Sequence, residues 1–502
     1  MDLAPRPELR RLRELLAEIA DLGRARALLF WDERTMMPAG GSNGRAEQLA
    51  TLVRVRHRLL AGPELAALLE RLEGALDDPL DAATVRMAAR DAAKARSVPA
   101  DLRAEIARVG SLGESAWADA RRTGDLTSYL PSLARVIDLR RRYIECFDNL
   151  EHPYDALLDD YEPGMRTAEV APLLAELRAG LVPLLAAIAA NAEAVDSTPL
   201  SGTFDVGEQE RMTRAIVGGL PLPAEGWRLD RTIHPFAVSI SAGDVRLSTR
   251  YEGDELSFGL FSALHEAGHG IYESSIPSAL RRGPLGRPPS LGFHESQSRL
   301  WENWVGRSRS FLGSILPELR RSFPDRFGGV EPDALYRAAN RAGASPIRVE
   351  ADEVTYNLHI ALRFELELAI FEDRIAPTDL PEAWIEASRE YLGINPSGPA
   401  EGILQDVHWA GGSFGYFPTY SLGNMIAARL WEIAEHERPD LVATTELGGL
   451  EPLRAWLGER VYRHAGTMLP AELIPVALDG PLEAAPLLAY LRRKYGEIYG
   501  LG

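Results

Sequence analysis

Cysteine and lysine are nearly absent from this chain of 502 residues. Cys146 is the one thiol, and Lys94 and Lys494 are the only lysines. A single cysteine excludes an intramolecular disulfide and a thiolate metal cluster within one chain. Cys146 lies in the charged stretch RRRYIECFDNL, which carries no mark of the activating environment a catalytic thiol needs. We read it as an inert, partly buried thiol. Positive charge is also in short supply: 55 basic residues face 73 acidic ones, a net charge of −18. A duplex nucleic-acid binder carries a basic excess, so this balance argues against nucleic acid and against an anionic membrane surface. Long apolar runs are missing too. No stretch of about 18 uncharged apolar residues occurs, so no membrane span is expected. The N-terminal MDLAPRPELRRLRELLAEIADLG lacks an apolar core and reads as an amphipathic helix rather than a secretory signal. A soluble, cytoplasmic protein is the expectation.

What the chain does have is helical periodicity. Leu9, Leu12, Leu15, Leu16 and Ile19 recur at three- and four-residue steps. Val170, Leu173, Leu174, Leu177, Leu181, Leu184, Leu185 and Ile188 do the same, and Leu358, Leu362, Phe364, Leu366, Leu368 and Ile370 lie in a third apolar stretch. All three are core-facing helix stripes. One region departs from the pattern. In HPFAVSISAGDVRLSTRY at 234–251, Val238, Ile240, Val245 and Leu247 alternate with small or polar residues, and Ser-Ala-Gly-Asp at 241–244 supplies a turn. This predicts a β-hairpin, which must pack on helices because a lone hairpin is marginal in water. RRGPLGRPPSLGFHES at 281–296 reads as a loop entering a helix. No linker divides the chain, so residues 1–502 are expected to form one mainly α unit, with two helical lobes.

The hairpin precedes FSALHEAGHGIYES at 261–274. His265 and His269 are four apart, which on a helix puts both imidazoles on one face, about 6 Å apart along the axis. Two such nitrogens can share one Zn²⁺, and Glu266 beside them can take a proton from bound water. With 10 histidines, a chance HEXXH is expected in roughly one or two such chains per hundred. Gly268 and Gly270 are poor helix formers and point to close packing there. A catalytic zinc site needs a third protein ligand. GFHESQSRLWENW at 292–304 offers Glu295, His294 and Glu302, and spacing leaves all three open.

The chain resembles the thermostable, Taq-type metallocarboxypeptidases. DVRLSTR at 244–250, HEAGH at 265–269, HESQ at 294–297, IRVEAD at 347–352 and GILQDVHW at 402–409 match in order. His-Pro-Phe at 234–236 and WDERTMMPAGGSNGRAEQLATL at 31–52 match as well. The resemblance implies a saddle-like helical fold with a deep central cleft and a small β-sheet at its floor, similar to neurolysin and angiotensin-converting enzyme. It also implies a homodimer, and it selects Glu295 as the third metal ligand beside His265 and His269.

A peptidase that removes C-terminal residues must bind a free carboxylate, and Arg does so through its bidentate fork. Arg348 is the leading candidate and Arg246 the second. The structural alternative for Arg348 is a salt bridge to Asp352. His234 and Gln405 join them as substrate-binding candidates. In HWAGGSFGYFPTYSLG at 408–423, His408, Tyr416 or Tyr420 can donate a hydrogen bond to the oxyanion, with Gln405 and Asp406 orienting His408. The expected activity is metal-dependent removal of C-terminal amino acids from peptides with broad side-chain specificity. Zinc is the expected metal, with cobalt or manganese able to replace it. Its rivals are an endo-acting oligopeptidase on the same scaffold and a peptide-binding module without chemistry.

Overall fold

The computed structural model describes residues 6–501 and is predominantly helical, with one small sheet. Helix α1, Pro7–Thr35, starts with Pro at its first position, where a missing N–H costs nothing. It buries Leu9, Leu12, Leu15, Leu16 and Ile19. With Leu65, Leu68, Leu69 and Leu72 from the helix Pro63–Leu72, and Val85, Ala88 and Ala92 from Pro79–Ser97, these side chains form a separate small core. A much larger core runs through the rest of the chain.

Helix α2, Thr167–Ala190, buries the predicted stripe except Leu173, which is half-buried. By length and composition alone α2 could cross a membrane, but its stripe packs against the helices Glu353–Phe371 and Ala485–Tyr499.

The predicted hairpin is present. Strand β1, Trp227–Arg231, precedes β2, Ala237–Ser241, and β3, Asp244–Thr249. β2 and β3 pair antiparallel, with Val238 opposite Arg246 and Ser239 opposite Val245, and the register breaks between Ser239 and Ser241. β1 adds parallel to β3, giving the order β1-β3-β2. The sequence did not announce β1: WRLDR is mostly charged, and only Leu229 is buried.

The sheet packs on α3, Ser257–Ser275, the helix that holds HEAGH. Gly270 lets β3 close in, since a Cβ there would come within 2.6 Å of Val245. On its other flank α3 meets α4, Leu291–Arg299. Helices α5, Glu353–Phe371, and α6, Pro418–Glu437, complete the surroundings of the site. Asp352 caps α5, its carboxylate accepting from the Val354 and Thr355 N–H groups at 2.8 and 3.1 Å.

Candidate metal centre

His265 and His269 stand one turn apart on α3, ring centroids 5.0 Å apart. Glu295 comes from the second turn of α4, whose first turn is fixed by Ser290 accepting from the Phe293 N–H at 3.1 Å. α4 can approach because position 268 is glycine: a Cβ there would sit 2.7 Å from the Gln297 carbonyl oxygen and the Ser298 Cα. Glu295 Oε2 lies 3.6 Å from Nε2 of both histidines, and the three ligand atoms are all within 4.8 Å of one another. Tetrahedral bonds of zinc length would place neighbouring ligand atoms about 3.4 Å apart. Two imidazoles and a carboxylate at this spacing fit a divalent cation.

The other two third-ligand candidates have different partners. His294 lies flat on His269, centroids 4.0 Å apart, with Nε2 3.1 Å from Glu273 Oε1. Glu302 contacts the far nitrogen of His265, Nδ1 to Oε2 at 3.0 Å. That contact turns Nε2 toward Glu295, as carboxylates behind metal-binding histidines do. Glu302 sits in a π-helical turn over Leu300–Gly306. Burial alone would raise the Glu302 carboxyl; Arg299, His265 and Arg307 outweigh it and hold the group at about 2.

Glu266 is buried beside the histidines, and among the described residues its side chain accepts no hydrogen bond. Burial pushes its carboxyl up to about 7, with His265 and His294 opposing the rise and Glu295 and Glu302 adding to it.

The loop and first turn leading into α6 gather the oxyanion candidates. His408 Nε2 is 3.4 Å from the Tyr420 hydroxyl, and its ring lies 5.2 Å from that of Tyr416. Tyr416 and Tyr420 are 5.3 Å apart between centroids. Tyr420 belongs to the helix, not the loop. α6 presses on the ligand helix at Gly423, where a Cβ would sit 2.9 Å from Glu295 Cβ. Burial drives His408 down to about 4, so the ring is neutral near pH 7.

Arg348 is buried, and its partner is Asp406 rather than Asp352. Nε and an η nitrogen donate to Asp406 Oδ1 at 3.1 and 2.7 Å, and the other η nitrogen donates to the Tyr356 hydroxyl at 3.0 Å. Asp352 is occupied in capping α5. Asp406 Oδ2 accepts from Arg363 Nε at 2.7 Å. Burial would raise Asp406, but the two arginines hold it far below the carboxylate range. Asp406 also lies 3.9 Å from His408 Nδ1. Gln405 does not orient His408: its amide accepts from the Arg348 N–H and donates to the Pro346 and Glu401 carbonyls, each at 2.9 Å. Arg246 is paired with Asp244 through two bonds of 2.8 and 2.9 Å. His234 is exposed between β1 and β2, its pKa lowered by desolvation and by Arg250, Arg121 and Arg34.

Sequence reasoning missed Arg299, Arg363 and Glu367. Glu367 pins the aromatic loop, accepting from Trp409 Nε1 at 2.6 Å, the Gly415 N–H at 2.9 Å and the Tyr154 hydroxyl at 2.5 Å. A signal was present: Arg363 and Glu367 are opposite charges four apart within the predicted apolar stripe of α5, and both are fully buried. Cys146 is unpaired, and burial followed by Glu145 raises its pKa, away from the reactive thiolate.

Residues 11–495 match the family model described as carboxypeptidase Taq (M32) metallopeptidase. Thermostable carboxypeptidase 1 of Thermus thermophilus is 41% identical over 99% of this chain and 100% of its own length. Carboxypeptidase 1 of Bacillus subtilis is 36% identical, with 97% of each chain covered. Among solved structures, an M32 carboxypeptidase from Deinococcus radiodurans superposes with a TM-score of 0.96 at 38% identity, covering 99% of this chain and 100% of that one. A Pyrococcus furiosus carboxypeptidase gives 0.94 at 34% identity, covering 98% and 100%.

Proposed function

The chain belongs to the carboxypeptidase Taq (M32) metallopeptidase family and is a metallocarboxypeptidase, and from that premise we propose how its residues do the work. His265, His269 and Glu295 hold one divalent cation, zinc first, with cobalt or manganese as substitutes. The observation that carries this is the single Glu295 oxygen 3.6 Å from both imidazole nitrogens, with Glu266 beside them. A cation there supplies Lewis acidity, polarising a carbonyl and lowering the pKa of bound water from about 15.7 toward about 7. Glu266 takes the proton of the attacking water on its carboxylate and returns it to the leaving amine nitrogen. Neutral His408 and the hydroxyls of Tyr416 and Tyr420 are the donors for the oxyanion.

Arg348 meets the terminal carboxylate, with Arg246 as the second candidate and His234 and Gln405 in supporting roles. The charge count around Arg348 supports this. Two arginines share Asp406, and among the described residues no other carboxylate bonds either of them. With His408 neutral the cluster has one positive charge in excess, and a substrate carboxylate would balance it. Arg363 keeps Asp406 paired when Arg348 turns to the substrate. Broad side-chain specificity and a homodimer carry over from the resemblance, and a cytoplasmic location from the lack of a secretory signal in the sequence reading; sedimentation and cell fractionation test the last two.

The deciding experiment combines metal analysis with mass spectrometry of products from a free peptide and its C-terminally amidated twin. Stoichiometric metal and stepwise release of C-terminal residues from the free peptide alone are expected. Efficient internal cleavage of the amidated peptide would replace this reading with an endo-acting one.

A further inference from the structure

The two oxygens of Glu295 have different environments. Oε2 faces both imidazoles and accepts a hydrogen bond from the Ser298 hydroxyl at 3.1 Å. Oε1 accepts from Arg299 Nε at 2.7 Å. Arg299 is itself held on three sides. An η nitrogen donates to Glu302 Oε2 at 3.3 Å, the same oxygen that faces His265 Nδ1. Its guanidinium carbon lies 4.0 Å from the centre of the Tyr356 ring, whose hydroxyl in turn accepts from Arg348. Burial and these contacts leave the side chain little freedom to leave Oε1.

A carboxylate can give a metal one oxygen or two. A second oxygen from Glu295 would add a ligand beside the position that a water must occupy for hydrolysis, making a four-coordinate cation five-coordinate and crowding that water. We propose that Arg299 is a positioning residue that holds Glu295 to one-oxygen coordination, by occupying Oε1, and thereby keeps the fourth position uncrowded. Through Glu302 it also ties the carboxylate ligand to the group that orients His265, so both ligands share one fixed frame. Lysine would be a poor replacement, because a single ammonium cannot hold Glu295 and Glu302 at once in the geometry of the planar fork.

The inference rests on the ligand set proposed above, and its test separates the two. The wild type and Arg299→Met are loaded with Co²⁺ in place of the native metal, and metal stoichiometry, affinity and the visible spectrum are recorded beside far-UV circular dichroism. Cobalt's visible bands are strong when it is four-coordinate and weaken as a fifth ligand binds. The wild type is expected to bind one Co²⁺ with strong bands. The Met variant is expected to stay folded, to show weakened bands, and to bind cobalt about 10- to 100-fold less tightly, the usual cost of losing a group behind a ligand. A folded Met variant with the wild-type spectrum would overturn the proposal. Should that variant not fold, a crystal structure of the zinc-loaded wild type decides: one Glu295 oxygen at about 2.0–2.2 Å, with Oε1 on Arg299, supports it, and two bonded oxygens overturn it. A wild type without stoichiometric metal would remove the ligand set itself.

Discussion

His294 stacks on His269, ring centroids 4.0 Å apart and planes 22° from parallel. The contact separates two histidines that chemistry alone could not rank. Both could ligate a metal, but only His269 turns a nitrogen toward Glu295. His294 serves as a wall that limits how the His269 ring can tilt, and Glu273 holds it from behind.

That arrangement predicts unequal effects on metal. Ala at His265, His269 or Glu295 should abolish both tight metal binding and hydrolysis. His294→Ala should keep stoichiometric metal at lowered affinity. Metal analysis after dialysis against a weak chelator reads all four. Full loss in the His294 variant, with metal retained by Glu295→Ala, would exchange their roles.

Glu266→Gln keeps the shape of the side chain but cannot accept the proton. Metal content should survive while kcat falls by at least about 10²-fold, the scale of a positioned general base. Near-normal turnover by the metal-loaded Gln protein would end the role assigned to Glu266.

Much of this site was legible because its chemistry is local in sequence. His265, Glu266 and His269 occupy one helical turn, and the alternation from Val238 to Leu247 marks the hairpin. The parts that escaped depend on long-range pairing. Arg348 finds Asp406 across 58 positions, whereas a reading along the chain reaches first for Asp352. Glu302 could not be placed because its partner is the far nitrogen of His265, 37 positions away. β1 escaped because its pairing with β3, not its own composition, makes it a strand.

Glu367 offers a prediction in pH. Burial raises its carboxyl from 4.5 to about 7 despite its three donors. A raised folded pKa means the contribution to stability is fully present below about 4.5 and is lost as pH climbs through about 7. That difference corresponds to about 3 kcal/mol. Glu367→Gln, neutral at every pH, lacks this slope. The stability gap between wild type and the Gln variant should therefore shift in favour of the variant from pH 5 to pH 8, as read by paired thermal or denaturant unfolding. Parallel curves would show that Glu367 stays ionised on the loop it anchors.

The last prediction concerns Arg348. Its removal takes away the excess positive charge of the Arg348–Asp406–Arg363 cluster and leaves Asp406 balanced by Arg363 alone. A terminal carboxylate would then enter a buried, uncharged site with no partner. Truncating one member of such a pair costs about 2–5 kcal/mol, so Arg348→Ala should lower kcat/KM on free peptides by about 30-fold or more. Metal content should change little, because Arg348 lies two side chains away from Glu295, through Tyr356 and Arg299. Asp406 also stands 3.9 Å from His408 Nδ1, so a change in the cluster can reach the oxyanion donors and a loss on free peptides alone does not identify the cause. C-terminally amidated peptides separate the two effects, because they lack the carboxylate but still need the oxyanion donors. If Arg348 reads the carboxylate, their already poor turnover should fall little further. Equal proportional losses on both series would make Arg348 a support for the His408 loop and move carboxylate recognition to Arg246, whose side chain is more exposed than that of Arg348.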